Sequence, residues 1–384
     1  MTDLLASPAL HATDEHEPVQ LINPEGERVF APSNERFRSL VEDLSTEALR
    51  GFYRDMMLVR RFDTEATALQ RQGELALYAP LLGQEAAQIG SAHALNATDM
   101  VFPSYREHGV AHVRGLDVAK ILRLFRGIDH GGWDSFEHNF HLYTLVIGSH
   151  ALHATGYAMG LQRDAQAGRA QGDEAVMVYF GDGATSQGDV SEALGFAAVN
   201  NAPVVFFVQN NQWAISVPNH KQFKAPLYTR GEGFGVPGIR VDGNDVLACN
   251  AVTRWALEHA RSGNGPVLIE ALTYRMGAHT TSDDPTKYRT REEEQMWRDR
   301  DPIARVKSLL QSEGAWSESD ETALSAELEG FGEYIRGYVK SLGRPHTASM
   351  FDHVYATEHA LVNKEKAWFS TYEASFLDNQ GGAR

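Results

Sequence analysis

The runs AVMVYFGDGATS (175–186) and PVVFFVQNN (203–211) decide the fold. Each opens on a short apolar stretch rich in Val and Phe and closes on Gly, Asp or Asn. Stretches of this length bounded by turn residues read as buried strands, Ala175 to Phe180 and Pro203 to Val208. The segment between them, Asp189 to Asn201, is helical in pattern, so the two strands are expected to lie parallel.

Working outward, the same alternation continues. Gly238 to Val241 and Val267 to Tyr274 read as further strands, with a helix between them that Asp245 caps and that reaches about Ala260. Upstream, Leu49, Phe52, Met56, Val59 and Phe62 recur at spacings of three and four from Ser45 onward, which predicts a helix. A second helix is expected from Gly83 to about Asn96. A third starts near Ser149, where Gly156 and Gly160 would let another helix approach closely. Strands alternating with helices predict an α/β fold, a doubly wound and mostly parallel sheet. Three regions follow: an extended arm with four prolines (1–44), the α/β domain (45–300) and a charged helical region packed on it (301–384).

Composition bounds the function. A formal charge of −16 makes a nucleic-acid partner a poor expectation, although a few local cations can still hold a small anion. No stretch approaches the ~20 apolar residues of a membrane helix. Cys249 is the single cysteine, so no intrachain disulfide forms. Residues 1–29 are acidic, with no apolar signal core and one arginine. A bacterial cytoplasm is the simplest expectation.

Sheets of this kind bind ligands at the carboxyl ends of their strands, and two polar clusters are expected there. Gly181-Asp182-Gly183-Ala184-Thr185-Ser186 follows the first strand. Its glycines allow close backbone approach, its N–H groups suit a phosphate, and Asp182 adds a hard oxygen ligand. Ser186 is placed to cap the next helix. Asn210-Asn211 ends the neighbouring strand, at an interval from Gly183 that accommodates one helix and one strand. A carboxylate, a carboxamide and a backbone carbonyl can then share one Mg²⁺, with positions left for phosphate oxygens.

Gly-Asp-Gly with Asn-Asn at this spacing is the thiamine-diphosphate signature. The resemblance extends over about residues 45–345, in LYAPLLGQEAAQIGSAHAL (77–95), VFPSYREHGV (101–110), YFGDGATSQGD (179–189), VQNNQWAIS (208–216), GIRVDGNDV (238–246) and YRMGAHTTSDDPTKYR (274–289). In these blocks the chain resembles the alpha subunits of branched-chain 2-oxo acid and pyruvate dehydrogenases. The resemblance implies Asp182 and Asn211 as side-chain metal ligands and Trp213 as a carbonyl ligand. It implies Tyr105 and Arg106 on the diphosphate, with Gly183 and Ala184 offering N–H groups, and Ser149 and Ala151 beside the aminopyrimidine. His279 matches the active-site histidine, expected to handle protons during lipoyl acylation. Gln209 stands where some relatives carry a phosphate-binding arginine. Gly148, His150, His153 and Ala154 stand where the animal branched-chain enzyme has a potassium site, so no site of that design is expected.

The same resemblance implies oxidative decarboxylation of a 2-oxo acid and transfer of the acyl group to a lipoyl group on an acyltransferase component. The glutamate that activates the cofactor belongs to a second domain, for which this chain is too short. A beta subunit supplying it in an α2β2 assembly is therefore expected. Leu77, Tyr78 and Ser104 are expected near the substrate pocket. Ser104 is smaller than the residue of branched-chain relatives at that position, but a beta chain would provide the rest of the wall, so no rule follows from it; branched-chain acids such as 3-methyl-2-oxobutanoate are favoured over pyruvate. A non-catalytic scaffold that kept the fold is the reading from another class, and intact Asp182, Asn211, Arg106 and His279 argue against it.

Three patterns point elsewhere. Gly233-Phe-Gly-Val-Pro-Gly238 spells a dinucleotide fingerprint but contains Pro237 and leads into a strand, so a loop is expected. His138, His141, His150 and His153 form two H-x-x-H pairs without the Cys or acidic company usual for zinc. A zinc site is therefore not expected, and some of them are expected at the cofactor entrance. Thr280, Thr281 and Ser282 fill a loop that is phosphorylated in animal relatives, with Thr280 at the regulated position.

Overall fold

Helix α1 (Thr46–Arg71) starts where Ser45 accepts the Ala48 N–H on its hydroxyl at 3.2 Å. Leu49, Phe52, Met56, Val59 and Phe62 are all buried, so the three-and-four spacing is its core face. The computed structural model describes residues 17–169, 172–343 and 347–379.

Five parallel strands form the central sheet: β1 (Met100–Phe102), β2 (Val176–Gly181), β3 (Val204–Asn210), β4 (Gly238–Asp242) and β5 (Val267–Leu272), in the order β1-β2-β3-β5-β4. Successive side chains of a strand face opposite sides. Met177, Tyr179, Val205 and Phe207 enter one core, and Val176, Val178, Phe180, Val204, Phe206 and Val208 enter the other. Both faces are therefore apolar, which is why the runs at 175 and 203 are nearly continuous in hydrophobicity. Helices α2 (Glu85–Ala92), with α3 (His108–Val113) packed on it, and α6 (Val246–His259) cover the first face; α4 (Ser149–Gln166) and α5 (Gly188–Asn200) cover the second. Among the described residues no helix is long and apolar enough to cross a membrane.

Several expectations shift. Strand β1 was not foreseen: three residues ahead of Pro103 give too little pattern to read. The helix expected from Gly83 starts at Glu85, since Gly83 has φ +95° and a side chain there would strike the Tyr274 carbonyl. Strand β5 stops at Leu272, where Thr273 turns its hydroxyl to Gly83 O and Asn244. Ser186 does not cap α5. The chain coils at once into a 3-10 turn over Asp182–Ser186, and Gln187 becomes the N-cap position without a side-chain bond. A side chain at Gly156 or Gly160 would meet nothing within 4 Å, so no close helix approach occurs there among the described residues. Asp245 does cap α6, accepting from Leu247 N and Ala248 N at 3.0 Å each.

The arm is packed on its own body from residue 17 onward; residues 1–16 lie outside the described residues. Val19 bridges to Val241 at the sheet edge, and Leu21 N and Ile22 N donate to Asp245 Oδ2 at 2.6 Å. Beyond the sheet, α7 (Arg291–Arg298) leads into α8 (Pro302–Ser312) and α9 (Glu318–Ser341), which both lie against α1. The last helix, α10 (Ala360–Asn379), makes its main contacts with the short turn at Thr347–Phe351.

Candidate active site

A cavity of about 470 Å³ opens at the carboxyl ends of β2 and β3. Pairing of Gly181 with Gln209 in register brings the two polar clusters side by side. Asp182 and Asn211 are then neighbours, both buried.

Three oxygens converge there. Asn211 Oδ1 lies 3.1 Å from the Trp213 carbonyl oxygen and 3.3 Å from Asp182 Oδ1. All three are acceptors. Turning the Asn211 amide over would supply a donor to both. It would also set two oxygens against each other at Gln84 Oε1, which now takes the Asn211 Nδ2–H at 3.1 Å, and take the acceptor from Trp213 N. A cation among the three satisfies every group without that cost, and hard oxygens from a carboxylate, a carboxamide and a carbonyl are what Mg²⁺ takes. Burial raises the Asp182 carboxyl to about 6, against smaller pulls from the Gln222 amide, backbone N–H groups and Arg275. The residues present therefore fit a divalent cation. Gln222 Nε2 steadies the second Asp182 oxygen at 3.0 Å.

The rest of the cradle follows from the turn. A side chain at Gly183 would lie 2.7 Å from Ala214 Cβ, so only glycine lets the turn close on that segment. Gly183, Ala184, Tyr105 and Arg106 all line the cavity. The Arg106 guanidinium, 5.5 Å from the Tyr105 ring centre, donates to Pro80 O and to His279 O, the latter at 2.8 Å. Ser149 and Ala151 are not among the lining residues. Ser149 gives its hydroxyl to Val146 O at 2.8 Å, and Ala151 is in the core, while Ile147 just before them reaches the cavity wall.

His279 faces the cavity from a loop held by arginines. Arg106 Nη2 and Arg275 Nη1 stand 3.5 and 3.3 Å from its Nδ1, which makes Nδ1 the acceptor and leaves the proton on Nε2. Burial, then Arg106, then Arg275 push its pKa down to about 3, against a smaller pull from Asp283. The imidazole is thus neutral here across the physiological range, contrary to the titration near pH 7 expected from its residue type alone. Arg275 also donates to Trp213 O at 3.1 Å and to Ile215 O at 2.7 Å, tying the loop to the segment that carries the Trp213 carbonyl. Neither Arg275, Gln84 nor Gln222 was singled out from the sequence. Arg275 and Gln84 lie inside the family-like blocks, whereas nothing in the sequence marks Gln222.

Other expected residues divide. Leu77 and Ser104 line the cavity. Tyr78 does not: it is buried and gives its hydroxyl to Asp63 at 2.5 Å. None of the four histidines at 138–153 is on the cavity wall. His150 bonds the Tyr179 carbonyl at 2.7 Å and His141 stacks on Phe102 at 4.8 Å, which are structural tasks. In the 233–238 pattern Gly233 lies near the end of a 3-10 turn (Leu227–Phe234), residues 235–237 form a short loop and Gly238 opens β4, so no helix follows as a dinucleotide fingerprint requires. Thr280 lines the cavity, and Thr281 bonds the Tyr78 backbone at both its hydroxyl and its N–H.

Comparison with known proteins adds to this geometry. Residues 53–331 match the model of the family described as "Dehydrogenase E1 component". The chain is 47% identical over 341 residues to the 3-methyl-2-oxobutanoate dehydrogenase subunit alpha of Mycobacterium tuberculosis, covering 88% of this chain and 90% of that one. It is 40% identical over 316 residues to the pyruvate dehydrogenase E1 component subunit alpha of Acholeplasma laidlawii (82% and 90% covered) and 38% identical over 324 residues to that of Bacillus subtilis (84% and 83%). The chain belongs to the dehydrogenase E1 component family, among the alpha subunits of 2-oxo acid dehydrogenases.

Proposed function

We propose that this chain is the alpha subunit of a branched-chain 2-oxo acid dehydrogenase acting on acids such as 3-methyl-2-oxobutanoate. It works with thiamine diphosphate and Mg²⁺, in an α2β2 assembly with a beta subunit, and delivers the acyl group to a lipoyl group of an acyltransferase. The observation that carries the reading is the convergence of Asp182, Asn211 and the Trp213 carbonyl beneath a glycine turn and beside Arg106. The 47% identity to a branched-chain relative supports the choice of substrate.

Thiamine diphosphate, when bound, would supply a nucleophilic carbon for the keto group and an electron sink for the pair left on the substrate as carbon dioxide departs, the pair that goes on to reduce the lipoyl disulfide. The protein's part is placement and electrostatics. Asp182, Asn211 and Trp213 hold the metal. Tyr105 and Arg106, with the N–H groups of Gly183 and Ala184, receive the diphosphate. His279 offers its Nε2–H to the reacting end, and a negative ligand between Arg106 and Arg275 relieves the field that keeps the ring from taking a second proton. Leu77, Phe125, Leu145 and Ile147 give the cavity an apolar wall suited to a branched side chain.

The two pyruvate dehydrogenase relatives favour pyruvate as the second reading. The test is co-expression with a beta subunit and comparison of kcat/KM for 3-methyl-2-oxobutanoate and pyruvate with an artificial electron acceptor. Preference for the branched acid is expected. Preference for pyruvate moves the enzyme to acetyl supply, and absence of metal-dependent cofactor binding makes it a scaffold.

A further inference from the structure

One buried acid in the cavity wall has no task in the mechanism above. Glu107, 1% exposed, follows Tyr105 and Arg106. It accepts the Arg106 backbone N–H at 3.2 Å and Gln209 Nε2 at 2.6 Å. Gln209 Oε1 accepts from Gln88 Nε2 at 3.0 Å, and Gln88 Oε1 accepts the Gly109 N–H at 2.9 Å. Gln88 Nε2 also serves Arg106 O at 3.0 Å.

These bonds run one way. A backbone N–H can only donate, so Gly109 fixes the Gln88 amide, Gln88 fixes the Gln209 amide, and Gln209 turns its NH₂ to Glu107. Both of these bonds bring Glu107 a donor, which suits the carboxylate. Burial opposes the charge and raises its pKa to about 7. Arg106 lowers it, but its guanidinium is spent on Pro80 O and His279 O. The titratable groups around Glu107 are His108 of its own segment, bonded to the Tyr143 hydroxyl and Ala79 O, and Tyr143 and Tyr179, whose hydroxyls burial raises. None of them brings a positive charge, since burial lowers His108 to about 3. The carboxylate is thus balanced between its donors and its burial, in the wall of a cavity built for an anion.

We propose that Glu107 is a positioning residue for the cofactor's diphosphate, acting through Arg106 and Gln209, and that capture of the diphosphate draws a proton onto its carboxylate. A second anion in the cavity raises a carboxyl's pKa further, so cofactor binding and proton uptake are linked. A cation at position 209 would uncouple them by holding Glu107 charged in both states. This inference rests on the cavity being the diphosphate site.

The test is calorimetric titration of thiamine diphosphate, with saturating Mg²⁺, into the assembled enzyme in two buffers of different ionisation enthalpy, from pH 6.5 to 8.5. Protons exchanged by the cofactor and by Asp182 are common to wild type and variant, so the difference between the two is read. Wild type is expected to take up about half to one proton more than Gln209→Arg near pH 8. Its Kd should weaken more steeply, by up to about tenfold per pH unit above 7. Where Gln209→Arg does not assemble, Glu107→Gln is read the same way. Equal proton counts and parallel pH profiles overturn the proposal while leaving the site intact. No binding to wild type at any pH overturns the site and the proposal together.

Discussion

The two sides of the cavity are built differently. On one side, Asp182 and Asn211 stand on adjacent strand ends, and sheet register alone makes them neighbours. On the other, His279 rides a loop whose shape is kept by arginines reaching backbone carbonyls. Arg275 serves Trp213 O and Ile215 O, while Arg289 serves Arg275 O and Met276 O. The first side is set by strand register and the second by cations: Arg106, Arg275 and Arg289 all reach carbonyls around the His279 loop. A cradle of oxygens faces a loop rich in positive charge.

The comparison can be broken at four points. Asp182→Ala removes a ligand from the oxygen cradle, and affinity for thiamine diphosphate should fall more than about 1000-fold, beyond the 10- to 100-fold cost of an outer partner. Calorimetry with Mg²⁺ reads this, and a loss below tenfold would mean the three oxygens are not the metal site. His279→Ala touches only the loop side. It should slow acyl transfer to a lipoyl domain by about 100-fold or more while sparing decarboxylation measured with an artificial acceptor. Equal loss in both steps removes His279 from the transfer step.

Arg275→Met separates structure from charge. It leaves the buried Trp213 carbonyl without this donor, a cost of about 1–3 kcal/mol, and frees the part-buried Ile215 carbonyl to water, visible as faster proteolysis within 278–290. It also removes one of the two cations that depress His279, so the ring pKa must rise from about 3. The sign follows: between about pH 6.5 and 3 the unfolded chain binds a proton that folded His279 refuses, so wild-type stability falls with acid over that window. The variant should show a narrower window by histidine NMR, and an unchanged pKa would mean that burial alone sets it. The smallest effect is expected for Gln222→Ala, which frees one Asp182 oxygen and should weaken cofactor binding about tenfold. No change would show that sheet register suffices to orient Asp182.

How much of this could be read from the sequence follows the same division. Strands β2 and β3, their parallel pairing and the meeting of Asp182 with Asn211 are local pattern plus one spacing. The loop side is not: Arg275 and Arg289 act on carbonyls chosen by tertiary packing, and no periodicity reports them. Glu107 and Gln209 lie 102 positions apart and pair only because β3 ends beside the segment after β1. The cap expected at Ser186 does not form. The 3-10 turn takes up Asp182–Ser186, so α5 starts at Gly188 and the N-cap position falls on Gln187, one residue past the serine. Tyr78 reads as a pocket residue beside Leu77, but Asp63 draws its hydroxyl inward.

Metal dependence of cofactor binding tests the central claim most directly. Assembled enzyme stripped of metal by a chelator should bind thiamine diphosphate weakly and recover tight binding when Mg²⁺ is added, whereas Asp182→Ala should show no recovery. Equally tight binding with and without the metal would contradict the account, because the three converging oxygens would then have no cation to hold.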